Sequence, residues 1–230
     1  MEQLSRELAE TALDGAYAQV TEAITGLDDA SFFRASRCAG WAVGDVLYHS
    51  LLDARRALRT FATPGSGPPD RDDISYWRPF GADGEIPPGS DAAAEHARHV
   101  RIAASAFSPA KLTWEWTDTA EAACRAARAC PYELVTTQGH VLRTADFTGT
   151  LAVESAVHYL DLAAGLADPP PSDPIPLRLV RRVLSGLLGE ALPPDWDDET
   201  GALKGTGRIA LTEADRSALG PAADRFPLFG

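Results

Sequence analysis

Residues 151–162 read L-A-V-E-S-A-V-H-Y-L-D-L, and this stretch decides the fold. Leu or Ala at positions 154, 158 and 161 would pack at no cost. Glu154, His158 and Asp161 stand there instead, and a buried carboxylate is expensive unless a proton, a cation, a metal or a hydrogen-bond network compensates it. At about 100° per residue, Glu154 and His158 project about 40° apart on one helix face and one turn apart along it, close enough to grip one ion. Leu151 and Leu162 fall on the same stripe above and below, so the pair lies inside an apolar surface. The residues alone allow two readings: a pair of metal ligands, or a satisfied buried hydrogen bond. Asp161, three residues past His158, reads either as an acceptor that orients the imidazole or as a helix-face carboxylate.

The helix that carries this stretch is expected from about Ala145 to Leu166, where the A-D-P-P-P-S-D-P run stops it and marks the best boundary in the chain. Upstream, E-L-V-T-T-Q-G-H-V-L-R-T predicts two short strands around Gln138-Gly139. Apolar residues at three- and four-residue intervals predict further helices over Glu2–Thr25, with Gly26 just past the end, and over Val43–Phe61, Ser90–Phe107 and Pro109–Ala129. Residues 62–89 form a long Pro/Gly-rich segment with the aromatic run S-Y-W-R-P-F, and Tyr76, Trp77, Arg78 and Phe80 either close over a pocket as a lid or pin the segment to the bundle. Beyond the Pro run, a short amphipathic helix near 176–191 precedes a tail, G-A-L-K-G-T-G-R-I-A-L-T-E-A-D-R, read as a strand and a helical turn. The sum is a mostly α protein, an antiparallel helical bundle with one small hairpin.

A second E-xxx-H pair, Glu95 and His99, has the same spacing but lies beside Arg98 and away from the apolar axis of its helix, which reads as a solvated face. His96 between them reads as a partly buried packing residue, and His140 beside the turn as exposed. A third ligand must come from another helix, and His49 in V-L-Y-H-S-L-L-D is the leading candidate. Its wheel is ambiguous, because Val46 and Leu52 flank it while Asp45, Asp53 and Arg56 also lie within about 40°. Asp53 is one turn away and is a candidate to orient His49.

Together, G-W-A-V-G-D-V-L-Y-H at 40–49 and V-E-S-A-V-H-Y-L-D-L at 153–162 resemble the maleylpyruvate isomerase branch of the DinB-like superfamily, many of whose members use mycothiol. The resemblance covers about residues 5–167. It implies a four-helix bundle whose metal is held by a His on the second helix and an E-xxx-H or H-xxx-H pair on the last, hence His49, Glu154 and His158 here. It also implies division into a DinB-like bundle over 1–167 and a C-terminal extension over 168–230, shorter than the sterol-carrier-like domain of the isomerases. Mycothiol as co-substrate and a small electrophile as substrate are implied by the same resemblance, with a homodimer left open.

Two imidazoles and a carboxylate leave coordination positions for water or substrate. That set suits zinc first, and also iron(II) or nickel. Such a metal would make thiolate available at neutral pH, either for transfer to an electrophile or for isomerisation. No protein cysteine is then required: Cys38, just before Ala39-Gly40-Trp41, would line the entrance, while Cys124 and Cys130 read as packing thiols. A metal-binding or regulatory module without catalysis is the competing reading. The three cysteines lack CxxC spacing and indicate no disulfide framework. A net charge of -12 opposes approach to phosphate backbones and anionic lipid, so neither nucleic acid nor membrane is an expected partner. Neither a signal peptide nor a spanning segment is read, and the chain is expected to be cytoplasmic. No Gly-rich phosphate loop, nucleotide fingerprint or G-x-S-x-G elbow appears, so kinase, dehydrogenase and serine-hydrolase chemistries have nothing to rest on.

Overall fold

A computed structural model describes residues 2–230. Four long helices form the bundle: α1 (Arg6–Ala23), α3 (Val43–Phe61), α5 (Pro109–Ala129) and α6 (Thr144–Ala163), with the short α2 (Asp29–Phe32) between the first two. They pack in the ring order α1, α6, α3, α5, while α4 (Asp91–Ala104) leans on α3 from outside. The periodic signals place these helices to within a few residues, and their ends obey local chemistry. Ser5 caps α1 by accepting from Leu8 N–H, and Ser108 caps α5 ahead of Pro109. Helix α6 is buried on nearly every side, since Ala, Val, Leu, Thr and Ser surround its few ionisable positions. A helix apolar all round belongs at the centre of a protein, and α6 lies there.

Strands β1 (Leu134–Thr137) and β2 (His140–Arg143) form the expected antiparallel hairpin, Thr137 opposite His140. Gln138 and Gly139 turn it with φ of 49° and 81°. Two positive φ values in a two-residue loop match the right-handed twist of the flanking strands, and Gly supplies one of them without strain. The first part of segment 62–89, residues 63–70, is laid along this hairpin. Gly65 N–H donates to Leu134 C=O and Thr136 N–H to Thr63 C=O along one edge, and Asp70 N–H donates to Val141 C=O along the other. Asp70 Oδ1 accepts from Val141 N–H at 2.8 Å, and Oδ2 lies 2.8 Å from His140 Nδ1. His140 is therefore half-buried and partnered rather than exposed.

The run S-Y-W-R-P-F is a 3-10 turn, Ser75–Phe80. Tyr76 and Trp77 are buried, with the Trp77 ring centroid 4.6 Å from that of Phe229. These aromatics pin the segment down because they have apolar partners on both sides, and Arg78 points to solvent.

The C-terminal stretch comprises α7 (Pro174–Leu188), α8 (Asp198–Gly205), α9 (Glu213–Leu219) and a last 3-10 turn (Gly220–Arg225). The strand expected within the tail is a helix instead: Asp197 caps α8 by accepting from Thr200 N–H, and such a cap favours the helical start over extended chain. Leu177, Leu184 and Trp196 continue the core of the bundle, so the C-terminal helices and the bundle share one apolar interior. Among the described residues no helix is long and apolar enough to cross a membrane.

The first turn of α6 holds a titrating carboxyl. Asp146 is buried and accepts from Arg143 Nη1 at 3.3 Å. Burial pushes its carboxyl up to about 6, with Arg143 opposing and Asp73 and Asp72 adding to the rise. Between about pH 4, the ordinary aspartate value, and about pH 6, the folded chain holds a proton the unfolded chain has released. Stability therefore falls as pH rises through that window. Asp146→Asn should match the parent near pH 4 and exceed it by about 1–2 kcal/mol at pH 7 after solvent screening, read from urea midpoints at both pH values.

Candidate functional site

Helices α3 and α6 cross so that His49 of one faces Glu154 and His158 of the other. His49 Nε2 lies 3.2 Å from Glu154 Oε1, and His158 Nε2 lies 3.4 Å from the same oxygen. One ligand atom from each residue falls within 4.8 Å of the other two. The ambiguous wheel of His49 resolves inward because α4 and the loop before α3 cover that face of the helix. The two imidazole rings stand nearly perpendicular, 82° apart, with centroids 4.7 Å from each other.

The outer nitrogens of both imidazoles are also committed. His158 Nδ1 lies 3.0 Å from Asp161 Oδ2, which makes Asp161 the orienting acceptor rather than a solvated carboxylate; its side chain is wholly buried. His49 Nδ1 lies 3.1 Å from His96 Nε2 of α4. His96 is thus at the site and not a packing residue: it lies one turn before the buried Val100, on the side of α4 that meets α3, with one edge against His49 and the other open to solvent. Glu95 and His99 on the same helix are exposed and belong to neither group of potential ligands. Asp53 does not take the place foreseen for it: its Oδ2 stands 3.9 Å from His49 Nε2, too far for a hydrogen bond, and its Oδ1 accepts from Arg56 Nη2 at 2.9 Å. Arg56 Nη1 in turn donates to Tyr76 Oη and Gln138 Oε1, both at 2.6 Å, and ties this side of the site to the hairpin tip.

Arg208, in the loop between α8 and α9, is the residue that sequence reasoning missed. Its Nε donates to Asp161 Oδ1 at 3.2 Å and its Nη2 to Asp161 Oδ2 at 3.0 Å. This is a two-point clamp on a buried carboxylate, and a lone Arg in a Gly-rich tail carries no periodic signal that could have announced it. Cys38 Sγ donates to the same Oδ2 at 3.0 Å and lies 3.9 Å from Arg208 Nη2 and 4.0 Å from His158 Nδ1. Cys38, His158 and Asp161 also satisfy the spacing of a ligand group, yet Arg208 already supplies the positive charge there and disfavours a second cation. Gly40, at φ 78°, turns the chain between Cys38 and Trp41 so that the Trp41 ring stands 5.3 Å from His49 and 6.3 Å from His96. Cys124 belongs to neither group of potential ligands; burial, with Asp14 adding, pushes its thiol up to about 12 and disfavours the thiolate.

Electrostatics derive from these contacts. Burial alone would raise the Glu154 carboxyl, but hydrogen bonds from His158 and His49 outweigh it and hold it well below the usual range. Burial would lower His158, yet Asp161, Cys38 and Glu154 together raise it well above the ordinary histidine value. Glu154, Asp161 and Asp53 are opposed by Arg56 and Arg208, which leaves the cluster one negative charge in excess before the histidines are counted.

Residues 13–163 match the family described as the mycothiol maleylpyruvate isomerase N-terminal domain. The matched span contains His49, Glu154 and His158 and ends before Arg208. Two solved structures, of the mycothiol-dependent maleylpyruvate isomerase and of an alanine mutant of it, each align with a TM-score of 0.53 and 17% identity, over 82% of this chain and 72% of theirs. No curated protein sequence matches the chain. At that identity the structural likeness establishes the helical fold and nothing finer.

Proposed function

Because the chain belongs to the mycothiol maleylpyruvate isomerase N-terminal domain family, with its DinB-like helical bundle, we propose that it is a metal-dependent enzyme that uses a low-molecular-weight thiol, mycothiol, on a small electrophile. His49, Glu154 and His158 hold the metal, zinc in the first place, with iron(II) or nickel(II) chemically admissible. The observation that carries this is the convergence of His49 Nε2 and His158 Nε2 on Glu154 Oε1 at 3.2 and 3.4 Å. Neighbouring ligand atoms of a zinc ion stand about 3.3 Å apart, which both nitrogens match against the Glu154 oxygen, and all three ligand atoms lie within 4.8 Å of one another.

When bound, the metal supplies acidity to a coordinated thiol, which is then thiolate near pH 7. The chain's own residues prepare that event. Asp161, held by Arg208, accepts a hydrogen bond from His158 Nδ1–H and leaves Nε2 to face Glu154. His96 does the same for His49; burial and the neighbouring His49 push its own pKa down, which keeps it in the neutral form able to accept. Trp41 and Cys38 stand at the mouth, where a thiol and an electrophile would meet. The electrophile is of maleylpyruvate type, and the thiolate either adds reversibly to isomerise it or displaces a group from it.

The direct test is elemental analysis of protein purified without chelator, followed by turnover of maleylpyruvate with and without mycothiol. Thiol-dependent consumption that disappears on chelation supports the assignment. Stoichiometric metal with no thiol-dependent turnover of maleylpyruvate or epoxide electrophiles would leave a metal-binding module instead. The orienting role of His96 has its own check: His96→Ala should weaken metal binding about 10–100-fold in chelator competition, and His96→Gln, which restores an acceptor, should recover part of the loss.

A further inference from the structure

A small cavity lies among the four long helices, beside Glu154. It is lined by Tyr17 of α1, Ser50 and Asp53 of α3, Trp116 of α5, and Glu154 and Ser155 of α6. All four long helices therefore contribute to it. Its volume is about 10 Å³, which is the space one water requires. Two polar atoms at its wall are buried without any hydrogen-bond partner: Tyr17 Oη and Asp53 Oδ2. Tyr17 is 3% exposed. A buried donor and a buried acceptor left unsatisfied each cost about 1–3 kcal/mol, and native structures rarely keep them so.

We propose that one ordered water occupies this cavity, accepting from the Tyr17 hydroxyl and donating to Asp53 Oδ2, and that its second proton reaches Glu154 or one of the two serine oxygens. The serines are available as acceptors, because Ser50 Oγ spends its proton on Val46 C=O at 3.0 Å and Ser155 Oγ on Ala16 C=O at 3.4 Å. A water then has three partners, the usual number for an internal site. An alkali cation suits the site less well. Asp53 is already paired with Arg56, and Trp116 and Leu151 offer no oxygen on their side of the wall.

The orphaned atoms belong to the chain itself, and Asp53 Oδ2 stands 3.9 Å from His49 Nε2, beyond hydrogen-bond reach, so the water is to be sought in metal-free protein.

The two states of the cavity predict opposite outcomes for one substitution. In a dry cavity, Tyr17→Phe removes an unpaired buried hydroxyl and should leave Tm unchanged or raise it. With the water present, the same change strips the water of its donor, and Tm should fall by about 3–6 °C. The experiment is a crystal structure of the chelator-treated protein at high resolution, with melts of parent and Tyr17→Phe in the same buffer. Density for a single water between Tyr17 Oη and Asp53 Oδ2, with a lowered melt, is the expected result. An empty cavity, or a Tyr17→Phe melt equal to or above the parent's, overturns the proposal. Because the protein carries no metal in this experiment, either outcome leaves the metal assignment to be judged by its own test.

Discussion

His158→Ala should lose metal during purification, with affinity reduced by on the order of a hundredfold or more. Structural zinc sites are worth about 10–16 kcal/mol in all, so on that scale each of three protein ligands would carry about 3–5 kcal/mol. His49→Ala should behave alike, for its Nε2 faces the same Glu154 oxygen at 3.2 Å. His99→Ala is the control, since His99 is exposed and stands in neither ligand group. Chelator competition and elemental analysis read the difference. Full metal retention in both ligand variants would assign the cluster to a hydrogen-bonded network and remove the metal from the proposed function. Glu154→Gln separates charge from shape: it keeps the side-chain outline and should weaken binding through the lost negative charge.

Arg208→Ala should cost about 3–5 kcal/mol of stability, because it leaves the wholly buried Asp161 without its clamp. For a chain of this length that is a fall in Tm of about 10 °C. The cost arises mainly from an uncompensated charge, so adding Asp161→Ala to Arg208→Ala should recover part of it, and a double-mutant cycle measures how much. A fall of under 2 °C in the single variant would mean that His158 and Cys38 alone satisfy the carboxylate. Arg208→Lys should also destabilise, since an ammonium cannot reach both oxygens at once as the guanidinium does at 3.2 and 3.0 Å.

The elements were legible where one physical rule dominates. The spacing of Val46, Leu47, Leu51 and Ala54 fixes a helix over Val43–Phe61, and Gln138-Gly139 between two β-rich runs fixes the hairpin turn. Which side of a helix faces a neighbour was legible where one face is clearly polar, as at Glu95 and His99, or where the helix is apolar nearly all round, as in α6. His49 has both apolar and charged neighbours on its wheel, so its direction depends on what α4 and the Cys38–Trp41 turn cover. His96 illustrates the same limit from the other side. Its helix turns Glu95, Arg98 and His99 to solvent, but His96 lies one turn before Val100, which with Ala104 anchors α4 on the bundle, and so meets His49. Arg208 lies 47 residues beyond Asp161; a contact across that distance is a product of tertiary packing, and no local pattern encodes it. The tail misled for a local reason, the cap that Asp197 gives α8.

The β1–β2 hairpin has a consequence for the behaviour of the chain in concentrated solution. A two-stranded sheet ordinarily presents two rows of unpaired N–H and C=O groups, each a template on which another chain can add a strand. Here residues 63–65 occupy one row and Asp70 the other, with the Asp70 carboxylate taking Val141 N–H and meeting His140. The Pro/Gly-rich segment thus works as a shield for the sheet, and Pro64, which bridges to Val135, cannot itself donate to a further strand. Substitutions that loosen this cover, Asp70→Ala foremost, would convert a closed pair into an adhesive one, and the first symptom would be self-association rather than unfolding.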